Sequence, residues 1–554
     1  MFNLLFVSFL GVIITLPFGF LFLRNHEKTI SSYSKILLYG IIIISFISVF
    51  LNFFTPLSKI ICTLIILISF FIIFRNKNFF FNLVFFKFSI IASLIVFILV
   101  FNSTVYRPDA YLYHLPFIDI LNEFKIIIGL TNLHFRFGHT SILQYTSAIY
   151  NNFIFFEKGI LLPPALIGSS IILNFSSQLV NYIKKKNFNI HFFYLLFITI
   201  FIAYKMNRYS EYGNDYPAHF IFYYILSEII FSFKSKNKDF SNLFLVSAFI
   251  LMNKLSMIFS IILPFLILKK IEKKKILNYK NFFSLIFLLI WIIKNSLISG
   301  CLLYPISKTC LLDLPWTNID KTNQVSIETE AWSKSWNNEK NPKFLNQEIY
   351  IKNFNWINTW SENHLNKINK ILIPYLIFLI LITIYIVTKS KKTNKNIKYR
   401  KELKLILILI ILIAVWFIKI PLFRFGFSYL VCLISLFFAI VCSKYENYKN
   451  KKIFLSLFAF CIIVFIGKNL LRFENYFTEY NQNIWPKIKI QNENKLKKVD
   501  IGELKYYEIR EPKFYESQAE CGYGFAPCTN YKNLKLTFKN FRSYKVIIDN
   551  DKTN

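Results

Sequence analysis

The sequence predicts an all-α polytopic membrane protein of about 13 or 14 transmembrane helices, with a small extracytoplasmic α+β domain at its C-terminus. Three observations predict it. Of 554 residues, 55% are hydrophobic and 17% charged, against roughly 25% charged in an ordinary soluble domain. The apolar residues fall in blocks close to the ~20 that a hydrocarbon core of about 30 Å asks of a helix. The lysines fall in short runs between those blocks, at 184–186, 234–238, 269–275, 389–404 and 444–452. Short basic loops flanking spans mark the cytoplasmic side. The formal charge of +35 is therefore dispersed over loops rather than built into one patch, and the reading has no nucleic acid as partner.

Residues 3–23 are apolar, and Arg24 and Lys28 follow the block instead of preceding it. A cleavable signal carries its charge first, so this segment reads as an uncleaved span with the N-terminus outside. Spans follow near 36–54, 59–75 and 83–101, which puts 102–140 outside. From there to Lys184 the chain crosses an odd number of times. The 159–181 block is taken as the span, and 141–157, with its Ser, Thr, Gln and Asn, as a helix lying in the outer surface or re-entering.

Further spans fall near 188–206 and 217–233. Residues 240–268 carry Asn253, Lys254 and Ser256 at their middle and read as two short helices meeting at an outward turn. Spans near 281–298, 371–388, 404–420, 426–443 and 453–470 complete the set. The chain then divides into a transmembrane domain, 1–470, with outside loops 102–140 and 299–370, and an extracytoplasmic domain, 471–554. Both termini lie outside. Five tryptophans, Trp316, Trp332, Trp336, Trp356 and Trp360, suit amphipathic helices at the lipid interface. In the tail, Leu534, Leu536 and Phe538 alternate with Lys535, Thr537 and Lys539 as in a half-buried strand.

Outside the cytoplasmic runs, charges and histidines gather at the outer ends of the spans: Arg107, Asp109, His114, Asp119, Arg136, His139, Arg208, Glu211, Asp215, His219, Lys254, Lys294, Lys419 and Arg424. Ionisable groups at membrane depth are costly and face a cavity or a partner. Anchors that snorkel to the interface explain single members of this set, but they leave its acids and histidines unexplained. The densest piece runs from Arg107 to Pro116, where Pro108 and Pro116 bracket Asp109 and His114. A carboxylate or imidazole there can act as general base on a hydroxyl. His139 and His219 read as hydrogen-bonded interface residues. Cys521 and Cys528, with Gly522, Gly524 and Pro527 between them, suit a disulfide-closed loop in an oxidising compartment, and the other six cysteines are too scattered for a disulfide scaffold. No Gly-rich phosphate loop and no zinc-ligand spacing is present.

The stretch Asp109–Pro116, the stretch Gly129–Gly138, the stretch Asn295–Pro305 and the cysteine-containing tail together resemble a bacterial family of multi-spanning proteins related to the GT-C glycosyltransferases. The resemblance implies transfer of a sugar from a polyprenyl-phosphate donor to a glycan, lipid or protein acceptor of the cell envelope, outside the bacterial inner (cytoplasmic) membrane. It implies an acid of the first outside loop as base, the position Asp109 occupies. Many GT-C members carry paired acids there. Asp109 has no adjacent acid and Asp119 stands ten residues on, so no cofactor is expected and a divalent metal is not supported.

Such chemistry also needs positive charge for the departing phosphate. Lys254, Arg208 and Arg424 are the candidates, with His114 and Arg136 beside Asp109 as further substrate-binding residues. Asp215 can orient the acceptor, as a second catalytic acid, or pair with Arg208. The alternatives are a transporter or flippase of lipid-linked saccharides and a polysaccharide polymerase or ligase. A transporter more often carries internal repeats and binding charges at the bilayer midplane.

Overall fold

The computed structural model describes residues 2–23, 27–101, 109–139, 141–209, 212–235, 239–268, 278–336, 346–392, 399–445, 451–480, 488, 492–510, 521–531 and 534–550. Most of them are helical. Among the described residues eight helices are long and apolar enough to cross a membrane: Asn3–Phe22, Ile30–Asn52, Leu83–Val100, Phe156–Lys184, Tyr279–Ser299, Ile357–Lys389, Phe423–Cys442 and Lys451–Glu474. The chain is a multi-pass membrane protein.

Eight is fewer than the 13 or 14 expected, although each remaining apolar block is helical. Ile190–Lys205 has 16 residues, about 24 Å of helix. Every side chain from Ile190 to Ile198 is buried, so protein rather than lipid surrounds it and its length need not match a bilayer. Lys59–Arg75, at 17 residues, is similarly short. Residues 240–268 form two short helices, Phe240–Asn253 and the tighter Leu255–Ile267, broken where Lys254 is extended at φ −151° and ψ 114°.

Residues 142–149 form the short helix expected in 141–157, and its eight side chains are all buried within the protein. A capping box starts it: Ser141 Oγ accepts from Leu143 N at 3.1 Å while Ser141 N donates to Gln144 Oε1 at 2.9 Å, satisfying two amides that the first turn leaves open. Asn152 Oδ1 then accepts from Ile154 N and Phe155 N, turning the chain into Leu162–Lys184.

The loop after residue 299 is a packed cap. Its helices Ile319–Ser333, Gln347–Ile351 and Ile357–Trp360 bury Tyr350, Trp356 and Trp360 together. Trp360 Nε1 donates to Pro421 O at 2.8 Å. Trp356 and Trp360, two of the five tryptophans expected at the lipid interface, therefore serve a protein core instead, and the Trp360 indole N–H can be buried there because a carbonyl accepts it. Cys301 and Cys310 form a disulfide at the entrance to this loop, a pair the sequence reading did not single out.

The last helix, Lys451–Tyr480, runs past the expected end at residue 470. Beyond it, β1 (Leu496–Ile501) pairs antiparallel with β2 (Leu504–Ile509), which pairs parallel with β3 (Cys528–Thr529). A separate hairpin joins β4 (Leu536–Phe541) to β5 (Tyr544–Asp549). This tail is stitched onto residues 109–139. Ile128 N donates to Lys545 O and Ile547 N to Ile128 O, each at 2.9 Å. Asn132 Nδ2 donates to Ile547 O at 3.0 Å, and Thr529 Oγ1 to Leu133 O at 2.8 Å.

At Gly129, whose φ is +70°, an added Cβ would collide with Ile547 O. Gly129→Ala is expected to separate the hairpin from the loop. Limited proteolysis of the full chain should then cut between the last helix and β5 at least several times faster than in the wild type, while the helical circular-dichroism signal is unchanged.

Candidate functional site

Three helix ends converge on Asp215. This residue opens Asp215–Ser232, Lys254 follows Phe240–Asn253, and Arg424 is the second residue of Phe423–Cys442. The Lys254 ammonium is ion-paired to Asp215 Oδ1, and Arg424 Nε lies 3.7 Å from Asp215 Oδ2. An acid in the first turn also faces the positive end of its helix dipole. Lys254 is 9% exposed and sits 3.9 Å from the centre of the Phe425 ring. The Arg424 guanidinium lies between Phe425 and Trp332, 5.2 and 5.3 Å from the two ring centres. Such faces favour cations. Below it, His219 bonds Ser428 Oγ through Nδ1 and Arg424 O through Nε2, both at 2.8 Å.

A reciprocal pair of amides locks two of these ends together. Asn214 Nδ2 donates to Asn253 O at 2.5 Å, and Asn253 Nδ2 donates to Asn214 O at 3.1 Å. Asn253 Oδ1 in turn accepts from Ser141 Oγ at 2.6 Å. Because Gln144 Oε1 takes the Ser141 backbone N–H, its Nε2 must face His114 Nδ1, 3.0 Å away, so that ring nitrogen accepts. Burial holds the His114 imidazole down at about 4; it is neutral at pH 7 and carries its proton on Nε2. A continuous hydrogen-bonded path thus links His114 to the backbone beside Asp215.

Asp109 enters from the other side. It precedes one wide helical turn, Ala110–His114, and its Oδ1 accepts from Arg136 Nη1 at 2.8 Å. Arg136 sits in the tight turn Phe135–Gly138, its guanidinium 5.3 Å from the Tyr113 ring centre. Asp109 and Arg136 are each about one-third exposed. The charges of Asp109 and Arg136 on one side and of Arg424 and Lys254, the partners of Asp215, on the other all act on the buried His114 imidazole.

The structure therefore brings together six of the seven expected site residues. Arg208 stands apart, beside Lys205 and Arg472, and Asp215 pairs with Lys254 and Arg424 instead. Arg107, Pro108 and Glu211 lie outside the described residues. His139 packs edge-on against Tyr304 at 5.2 Å and is held down at about 4 by burial and then by Arg136. Lys294 lies 3.5 Å over Trp291, and Lys419 lies 3.8 Å from Glu330. Sequence reasoning did not assign Ser141, Gln144, Asn214 or Asn253 to the site, although Asn253 stood out at the break between two short helices. The Ser141-x-x-Gln144 spacing was the available signal for the first two. Among the described residues no three His, Cys, Asp or Glu side chains form a metal-sized group. A cavity of about 1250 Å³ opens at the far end of Asp215–Ser232, lined by Lys35, Gln178, Asn181 and Glu228.

The tail braces this site from behind. The loop closed by the Cys521–Cys528 disulfide places Gly522 N 3.0 Å from Tyr111 O and Gly524 N 2.9 Å from Asp119 Oδ2. Burial pushes the Asp119 carboxyl up to about 7, against the opposing Gly524 bond. An unfolded aspartate titrates near about 4. Between those values the folded chain keeps a proton that the unfolded chain has lost, so stability from this residue falls as pH rises from about 4 to about 7. Asp119→Asn keeps an acceptor for Gly524 N, and its thermal unfolding midpoint should exceed the wild type's at pH 8 and match it near pH 4.

No curated protein and no solved structure matches the chain. Residues 1–431, which carry every member of the cluster around His114, match the model of a family described as a domain of unknown function (DUF8201), and the chain belongs to that family.

Proposed function

We propose that this protein is a membrane glycosyltransferase that moves a sugar from a polyprenyl-phosphate donor to a cell-envelope acceptor on the extracytoplasmic face. The observation that carries the reading is the gathering of two carboxylates, one neutral imidazole and three cations from separate helix ends into one place.

The roles follow from the contacts. Asp109 Oδ2 makes no hydrogen bond among the described residues, while Arg136 holds Oδ1, so one oxygen is fixed and the other can take the acceptor's hydroxyl proton. As that proton leaves, the acceptor oxygen bonds to the sugar's anomeric carbon. The bond from that carbon to phosphate breaks, and its electron pair departs on the phosphate. Arg424 Nε is buried without a hydrogen-bond partner among the described residues, which suits it to a phosphate oxygen, and Lys254 adds a second charge. Asp215 positions both cations, and His114 Nε2–H can donate to a sugar hydroxyl. No metal is required by these roles.

The test supplies purified full-length protein with a panel of polyprenyl-phosphate sugars and follows release of the lipid phosphate. Asp109→Asn is expected to lower turnover on the order of 10²-fold or more, with unchanged thermal unfolding. Full activity in that variant would remove Asp109 as base. Arg424→Gln should slow turnover more than it weakens donor binding, because its charge opposes one that develops in the transition state. The cavity at the opposite end, a mainly apolar space with Lys35, Gln178, Asn181 and Glu228 in its wall, favours a second reading, a flippase of lipid-linked saccharides. Translocation of a fluorescent lipid-linked sugar across proteoliposomes without lipid-phosphate release would select it.

A further inference from the structure

The cations that the candidate site does not use have a place of their own. Lys205 ends Ile190–Lys205, Arg208 follows three residues later, and Lys468 and Arg472 sit about one turn apart on Lys451–Tyr480. Lys468 Nζ donates to Tyr204 O at 2.5 Å, and Asn469 Nδ2 donates to Asn207 O at 2.9 Å, which ties the two segments together. Arg472 Nη2 donates to Ile98 O at 3.0 Å and to Phe101 O at 2.8 Å. Those carbonyls belong to the C-terminal end of Leu83–Val100, where a helix dipole favours positive charge.

The charge of Arg208 reaches both Lys205 and Arg472, and that of Lys205 reaches Lys468. Among the described residues no carboxylate forms a salt bridge with any of the four. Cations crowded in this way repel one another unless an anion joins them. Two donors of Arg472, Nε and Nη1, are buried and make no hydrogen bond among the described residues, an unfavourable state that an anionic oxygen would relieve. Lys205, Arg208 and Lys468 are exposed and reachable. Next to them the last helix presents Ile466, Leu470 and Leu471, 42%, 62% and 61% exposed, on a segment apolar enough to cross a membrane.

A ligand fitted to this surface has an anionic head for the cations and an apolar tail for the helix flank. We propose that Lys205, Arg208, Lys468 and Arg472 bind the phosphate headgroup of an anionic phospholipid at the membrane edge. The site uses none of the residues around His114 and does not rest on the transferase reading. Free phosphate would engage the same cations, but it has no use for the exposed leucines and isoleucine beside them.

The full chain in detergent is titrated with dioctanoyl phosphatidylglycerol while its thermal unfolding midpoint is followed, since a ligand of the folded state raises that midpoint. The midpoint is expected to rise. In a Lys205→Gln/Arg208→Gln variant the apparent affinity should fall on the order of tenfold or more, the scale of one or two charge-assisted hydrogen bonds. Both side chains are exposed and their removal relieves like-charge repulsion, so the midpoint without lipid should not fall below the wild-type value. Should it drop, Lys205→Arg/Arg208→Lys keeps both charges and must keep the affinity. Unchanged affinity in the glutamine variant, or lost affinity in the charge-conserving one, overturns the proposal. An equal rise with dioctanoyl phosphatidylcholine overturns it as well. Inorganic phosphate giving the same rise at the same concentration replaces the lipid with a soluble anion.

Discussion

A lysine that is nine-tenths buried among aromatic rings keeps its charge only beside a carboxylate, and the pairing of Lys254 with Asp215 meets that condition. Breaking such a pair from one side leaves a charge in a poor solvent, which is why the geometry around it is so fully specified. Lys254 reaches Asp215 because the backbone is extended between two short helices, and the Asn214–Asn253 amide exchange holds that break against the start of the next helix. Arg424 arrives at the same carboxylate from a third helix. His219 beneath it fixes the Arg424 carbonyl. Through Ser141 and Gln144 this junction is also hydrogen-bonded to His114 and to the start of the buried 142–149 helix.

The second half of the cluster depends on a different support. Residues 109–139 hold only short helical pieces, Ala110–His114, Leu115–Glu123, Leu130–Asn132 and Phe135–Gly138, yet nearly all their apolar side chains are buried. Their open backbone groups are met by the tail: Ile128 by the β5 hairpin, Leu133 by Thr529, and Tyr111 by Gly522. Buried amides and carbonyls without such partners would each cost free energy. The tail lies beyond the family match at residues 1–431, so the loop that carries Asp109 is positioned by a segment outside the shared region.

The two ends of the helix set differ in their chemistry. Asp215–Ser232 begins with an ion-paired aspartate and ends next to Lys234, and Phe423–Cys442 begins with Arg424 and ends next to Lys444. One end thus holds the ion pairs of Asp215, and the other runs into lysine-bearing loops. Basic loops on one side of a span set its orientation, whereas charges near the opposite end must find partners.

Membrane class and the place of nearly every helix were legible in apolar block length, because a helix surrounded by lipid must be apolar over a bilayer's width. Asp109, His114, Arg136, Asp215, Lys254 and Arg424 were legible as charged residues at span ends for the same reason. Their grouping was not. Sequence distance does not say which helix ends meet, and only packing showed that Lys254 and Arg424 share Asp215 while Arg208 joins Lys205, Lys468 and Arg472 instead. Trp356 and Trp360 were read as interface residues because composition cannot distinguish an indole that faces headgroups from one buried in a protein core, where the Trp360 N–H finds the carbonyl of Pro421. The Cys301–Cys310 bridge depended on a turn that no spacing rule announced. Hydrophobic length is a property of the chain taken one segment at a time, whereas ion pairs, amide exchanges and disulfides belong to pairs of segments and exist only once the helices are packed.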